Sequence, residues 1–403
     1  MLPLRALLAL SVIVFLGCLT EVLPAGLLLG MSADFGVPPS TTGHLVTGYA
    51  LTTALTAIPL TAWTSRLPRK RVLLALVAGF AVTNLVIAAS PWFAVVLGAR
   101  VASGAITGVM WSLVAVYAMR LAPPGRSGRA LAVAMAGTPL GFAVGVPAGA
   151  ALGELVGWRW TFVLMGLVAV PLFAWVSAVV PPVAAEPVRV SVPAALRVPG
   201  MVRVVVTVSA FSLAHNTLYT YLGPVLARSG RESSLSAALL VFGLAAVVGI
   251  LVVGRALDRC PRGVLVVCPA AIVVAVLLPV DWLWGSMALW GLAFGGAPTA
   301  FQAVTAVVAG RSADSAQSLT IAAWNAAVAG GALLGGLVLD TAPAALTATA
   351  AALMVLPLLA APRLPRSPGD DLVRQVGGLR GDAERGDGLH DRDDRRRGGQ
   401  VVE

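Results

Sequence analysis

Charged and strongly polar side chains are scarce in the long apolar runs of this chain, so the few that occur there stand out chemically. Glu21 lies inside CLTEVLPAG and Arg100 inside LGARVASGAITG, both well away from the ends of their runs. A charge near the middle of a bilayer costs about 2.5–3.5 kcal/mol or more, so such groups face a cavity or each other. A static Glu21–Arg100 pair that locks two helices is one reading. The other is proton chemistry at Glu21: burial favours a protonated acid and a nearby cation favours the ionised one, so moving Arg100 relative to Glu21 would work as a switch. His215 sits in SLAHNTLYTYLGP with Asn216, Tyr219 and Tyr221, the most polar patch of any run. His215 and Tyr219 are four apart and share a helical face. They fit the wall of a site that hydrogen-bonds or stacks on an amphipathic ligand, and an interhelical hydrogen bond from His215 is the plainer alternative. Gln302 and Asn325 are weaker candidates, since amides in apolar helices often only bond a neighbour, for about 0.6 kcal/mol.

These residues need long apolar elements to carry them. The chain has 403 residues, 58% hydrophobic and 11% charged, against roughly 25% charged in a soluble protein. Apolar runs fall near 7–30, 43–64, 71–90, 92–118, 128–153 and 159–181. After the Pro-rich stretch 182–202, six more follow near 203–227, 235–256, 263–280, 283–309, 317–339 and 343–361. The first run is too long for the core of a cleaved signal peptide and reads as a spanning helix. An all-α membrane protein of twelve spans is predicted, with a bundle in 1–181, a linker at 182–202, a bundle in 203–362 and a solvated, disordered tail at 363–403.

Loop charges test the count. On one side fall Arg5, Arg66, Arg69, Lys70, Arg71, Arg120, Arg126, Arg129, Arg189, Arg197, Arg203, Arg255, Arg259, Arg262 and Arg311, and on the other only Arg159, Arg228 and Arg231. The positive-inside rule then places both termini in the cytoplasm of a multi-pass protein of the cell membrane. The net charge of +10 is spread over short loops, which argues against a nucleic-acid partner. Trp63, Trp92, Trp158, Trp160, Trp282 and Trp284 stand at run ends and read as interfacial anchors. Cys18, Cys260 and Cys268 lack ligand spacing, so no metal site is expected.

The fifth run carries glycine at every fourth position, Gly137, Gly141, Gly145, Gly149 and Gly153, with Pro139 and Pro147 between them. Such a ladder lets another helix backbone approach closely. The eleventh run echoes it with Gly330, Gly331, Gly335 and Gly336. The loop motif Ser65-Arg66-x-Pro68-Arg69 recurs as Asp258-Arg259-x-Pro261-Arg262, half a chain later. Matching marks in two six-run halves point to a duplicated transporter.

On these motifs the chain resembles the major facilitator superfamily, and within it the twelve-helix drug:proton antiporters of the arabinose-efflux and chloramphenicol-exporter type. The resemblance covers about 1–362. The family's loop signature is kept in the second copy by Gly254, Asp258 and Arg259; the first copy has Thr61, Ser65 and Pro68 at its glycine, aspartate and second glycine. Its fourth-helix arginine falls on Arg100, followed by Gly104 and Gly108. Its exporter-type fifth-helix signature is matched by Gly141, Gly145, Pro147 and Gly149, with the proline displaced by one position. The resemblance implies two pseudo-symmetric six-helix bundles, with helices one, four, seven and ten around a central cavity, which favours Gln302 over Asn325 as a lining residue. Arg66, Arg69, Gly254, Asp258 and Arg259 would act in gating. The fifth helix would lie at the seam between the bundles, where Gly145 and Gly149 are expected to set the contact.

No nucleotide-binding loop or hydrolase motif is present, so no enzyme is expected. The expected function is export of a small amphipathic drug or metabolite in exchange for protons, with the proton gradient as energy source and no cofactor. A monomer in the bilayer is expected. An uptake symporter or facilitator is the alternative, and a membrane-embedded enzyme or receptor a more distant one.

Overall fold

The computed structural model describes residues 2–123, 126–184, 192–257, 261–309 and 313–360. The first six long helices are α1 (Leu4–Phe35), α2 (Pro39–Thr64), α3 (Arg69–Ala89), α4 (Phe93–Leu121), α5 (Ser127–Val156) and α6 (Trp158–Val179). A short helix, Val192–Leu196, leads to α7, which runs Met201–Tyr219 and resumes as Leu222–Arg228. Then come α8 (Leu235–Leu257), α9 (Pro261–Leu277), α10 (Leu283–Ala309), α11 (Ala313–Thr341) and α12 (Leu346–Ala360). Eleven of the twelve are long and apolar enough to cross a bilayer, and α9 is a shorter apolar helix. No strand occurs among the described residues.

Tight turns make consecutive helices antiparallel. α1 stops at Gly36, whose φ of 64° is open to glycine without strain; the Gly36 N–H bonds Ala33 and the Val37 N–H bonds Ser32. Pro39 then starts α2, where its missing N–H costs nothing. A single residue, Gly157 at φ 95°, joins α5 to α6. The ends of the bundle are called here the Gly36 face and the Arg66 face.

Two prolines perturb helices that the apolar pattern predicts as regular and continuous. Pro147 has no N–H to offer Ala143 and its ring crowds that carbonyl, and the turn before it, Gly141–Gly145, widens to a π-type turn. Pro224 does the same to Thr220, and α7 is interrupted at Thr220–Tyr221. The predicted span 203–227 is therefore two pieces.

Glycine contacts reveal the duplication more clearly than the loops do. Gly104 and Gly108 of α4 lie against the α2 backbone at Tyr49 and at Thr53–Ala57. In the second bundle, Gly291 and Gly295 of α10 meet the carbonyls of Phe242 and Ala246 on α8. Likewise all five ladder glycines of α5 face α1, from Ser11 and Phe15 through Cys18, Leu19 and Leu23 to Leu27. Gly331 and Gly335 of α11 face the α7 backbone at Leu213 and Thr217. This corrects the expectation for Gly145 and Gly149: they pack α5 onto α1 inside the first bundle, not onto the second. Spacing of four identifies a smooth stripe, but not which neighbour fills it.

The bundles meet through other residues. Val46 and Ala50 of α2 pack on Val328, Ala329 and Ala332 of α11. Gly243 of α8 lies against the carbonyl of Phe142, on the opposite side of α5 from the ladder. The break in α7 sends Tyr221 between α2 and α11, where its ring abuts Gly43 and Gly335 and its hydroxyl donates to the Ala332 carbonyl at 2.7 Å. Nearer the turns, Ser236 donates to the Glu154 carboxylate at 3.1 Å. Val46, Ala50, Phe142 and Val328 lie at the level of the bundle centre, whereas the Tyr221 and Ser236 contacts lie toward the Gly36 face, so the bundles are closed together on that side.

Candidate functional site

Arg100 is fully buried in α4, and its surroundings explain how that is tolerated. Its Nε donates to the Leu45 carbonyl of α2 at 3.1 Å. One terminal nitrogen donates to the Thr20 carbonyl of α1 and the other to the Glu21 carbonyl at 3.1 Å. The guanidinium also lies over the Tyr49 ring, 4.3 Å from its centroid, and Tyr49 is held by a 2.6 Å hydrogen bond to Thr107. From α3, Asn84 donates to the Thr20 hydroxyl at 3.3 Å. The sequence places Arg100 and Glu21 as partners through their charges. Instead, Arg100 holds the backbone of α1 at Thr20–Glu21 and the two form no ion pair. The Glu21 carboxylate is left to point elsewhere, with the indole of Trp111 as its neighbour on α4.

Glu21 also lines a cavity of about 60 Å³ between the bundles. Glu21, Tyr49 and Phe142 come to it from the first bundle, and His215, Asn216 and Tyr219 from the second. In this state the cavity has room for no more than a few waters, far below the 300–1,000 Å³ of a ligand pocket. Glu21 and His215, separate candidates in the sequence, thus reach one small, mostly apolar chamber.

His215 is fixed on three sides. Its ring stacks on Phe294 at 4.0 Å and on Tyr219 at 4.9 Å between centroids. The Trp290 indole donates to His215 Nδ1 at 3.1 Å. An indole nitrogen can only donate, so Nδ1 accepts, and a neutral imidazole then carries its proton on Nε2. The site therefore pairs acceptor oxygens at Glu21 with an imidazole donor and an aromatic wall, a set suited to a flat or amphipathic molecule with polar edges. Phe142, Phe294 and Trp324 complete that wall and were not singled out from the sequence. Trp111, Trp290 and Trp324 lie inside their runs rather than at the ends, which is the signal that could have found them.

Other candidates fall outside the chamber. Gln302 is exposed, and its main-chain carbonyl accepts from the Gln317 side chain at 2.8 Å; it does not line the cavity. Its register on α10 places it toward the Arg66 face, past Phe294. Arg66 is exposed, whereas Arg69 is buried beside Tyr117 and belongs to the packing of the first bundle. Gly254 has open space around it. Asp258 and Arg259 lie outside the described residues. Trp63, Trp92, Trp160, Trp282 and Trp284 are exposed, as anchors are, but Trp158 is buried and donates to Asp34 at 2.9 Å. There Asp34 also pairs with Arg159, so this end of α6 is pinned to α1.

Comparison with known sequences decides the family. The profile of the Major Facilitator Superfamily matches residues 10–319. The chain belongs to this superfamily. It is 30% identical over 371 residues to a chloramphenicol efflux pump of Mycobacterium tuberculosis, covering 84% of this chain and 87% of that one. It is 28% identical over 331 residues to a probable sugar efflux transporter of Mannheimia succiniciproducens, with 80% and 83% covered. Among solved structures, a bacterial homologue of the human lysosomal transporter Spinster, inward-facing and occupied, superposes with a TM-score of 0.68 at 18% identity, over 88% of this chain and 94% of that one. The protein is a multi-pass membrane transporter of the superfamily, and not an enzyme.

Proposed function

We propose that this superfamily member exports a small amphipathic compound in exchange for protons, by alternating exposure of the central chamber. One observation carries the reading: a carboxylate from the first bundle, Glu21, and an imidazole from the second, His215, open into the same chamber between the bundles. A group that binds either a proton or a substrate must meet both within one space, and parting the bundles on one side or the other would expose that space to each solution in turn. The Arg66 face carries the excess of loop cations and is assigned to the cytoplasm, with both termini. The contacts from Tyr221 and Ser236 then close the outer side, which is the arrangement an exporter adopts while loading from the cytoplasm. The efflux names of the two relatives support the outward direction. The transporter works as a monomer, and the proton gradient is its energy source.

The test is transport in inverted membrane vesicles, with chloramphenicol and a pentose as first substrates within a wider panel of amphipathic compounds. Respiration should drive accumulation that an uncoupler dissipates. Glu21→Gln should abolish gradient-driven accumulation while leaving the amount and thermal stability of the protein unchanged. Wild-type accumulation by that variant would overturn the role of Glu21, and accumulation insensitive to the uncoupler would overturn proton coupling.

A further inference from the structure

A second, larger cavity lies wholly within the second bundle. It measures about 430 Å³ and opens near the Gly36 face between the end of α7, the end of α9, the start of α10 and the start of α12. Its deep wall is apolar and buried: Leu222, Leu226, Leu283, Met287 and Trp290 are each no more than 5% exposed. The cavity is a half-open cleft rather than an interior void, and its volume falls within the range of ligand sites.

Its mouth has a definite charge. Arg228 lines it and is exposed. Among the described residues the Arg228 guanidinium makes no hydrogen bond or ion pair. The acid nearest in sequence to the lining, Asp281, is engaged by Arg231 at 2.8 Å, and among the described residues no carboxylate lines the cavity. A pocket with an apolar deep wall and an available guanidinium at its more polar rim matches a molecule with an apolar tail and a single anionic head.

We propose that this cavity is a binding site for an anionic amphiphile, its chain against Met287 and Trp290 and its carboxylate or phosphate head on Arg228. The site is distinct from the central chamber but shares a wall with it, because Trp290 lines the larger cavity and donates to His215 in the smaller one. Two sources present this chemistry: an anionic phospholipid of the surrounding leaflet, and a free fatty acid from solution.

Radiolabelled dodecanoate, titrated onto the full chain in phosphatidylcholine nanodiscs, should bind saturably. Arg228→Gln should weaken that binding at least ten-fold, Arg228→Lys should retain most of it, and Met287→Trp, which fills the chamber, should abolish it. Arg228 is exposed, so its variants keep the test decisive if the Trp variant fails to fold. In phosphatidylglycerol nanodiscs, a loss of dodecanoate affinity identifies a lipid occupant and an unchanged affinity identifies a soluble one. Native mass spectrometry should correspondingly find an anionic lipid retained by the wild type and lost from Arg228→Gln in the lipid case. Binding of dodecanoate to both Arg228→Gln and Met287→Trp as to wild type would overturn the site. So would the absence of both saturable binding and a retained lipid.

Discussion

Arg100 shows how a single side chain can be the structural centre of a site without touching its ligand. Its three carbonyl bonds tie α4 to α1 and α2, and its stacking on Tyr49 orients one wall of the chamber. A lysine cannot reproduce a planar fork of donors. Arg100→Lys should therefore lose hydrogen bonds to buried carbonyls, at about 1–3 kcal/mol for each group left unsatisfied, and lower the midpoint of thermal unfolding in detergent. Fluorescence-detected size-exclusion after heating reads this directly. Trp290→Phe makes the complementary point: it keeps the ring against Phe242 and His215 but removes the donor to Nδ1. The half-saturating substrate concentration should rise several-fold, whereas Trp290→Ala should also cost stability. At this scale the sequence was informative about which residues matter and poor about partners. Glu21 and Arg100 stand out because charge is costly in an apolar run, yet charge alone could not reveal that the arginine binds main chain. The aromatic wall was hidden because phenylalanine in a membrane helix looks like any other apolar residue.

At the scale of elements, the glycines of α5 and α8 separate two jobs. Gly145 faces Leu19 and Phe15 of α1, and Gly243 faces the Phe142 carbonyl across the seam. Gly145→Leu should destabilise the first bundle, lowering yield and thermal stability together. Gly243→Leu should instead hold the bundles apart near the chamber, and a cysteine placed at Val46 should become at least five-fold more reactive to a membrane-impermeant maleimide added from the Gly36 side. If the two variants gave the same phenotype, the two roles would not be separable. Helix number was readable, and the limits to within about five residues, because a bilayer demands a continuous apolar run for every crossing. The perturbed turns in α5 and α7 were not, since in a membrane a proline is often absorbed without a visible interruption. The partner of each glycine stripe depends on how helices are arranged in space, which periodicity does not encode.

At the scale of the whole molecule, closure from the bundle centre to the Gly36 side rests on small contacts distributed along the seam: the Tyr221 wedge, the Val46–Val328 patch and the Ser236–Glu154 hydrogen bond. Replacing Glu154 and Ser236 together by cysteine and oxidising the pair should trap this closed side. Transport should fall at least ten-fold and return on reduction, with neither single variant affected by oxidant. The Trp290–His215 bond has a different consequence, because among the described residues it is the only side-chain hydrogen bond that joins the walls of the two cavities. If an amphiphile in the outer cavity shifts Trp290, it changes the free energy of whatever His215 holds. Thermodynamic reciprocity then requires the transported compound to alter the amphiphile's affinity by the same factor. A transporter built this way would carry a gauge of its lipid surroundings, legible from either site: titrating one ligand would measure the other.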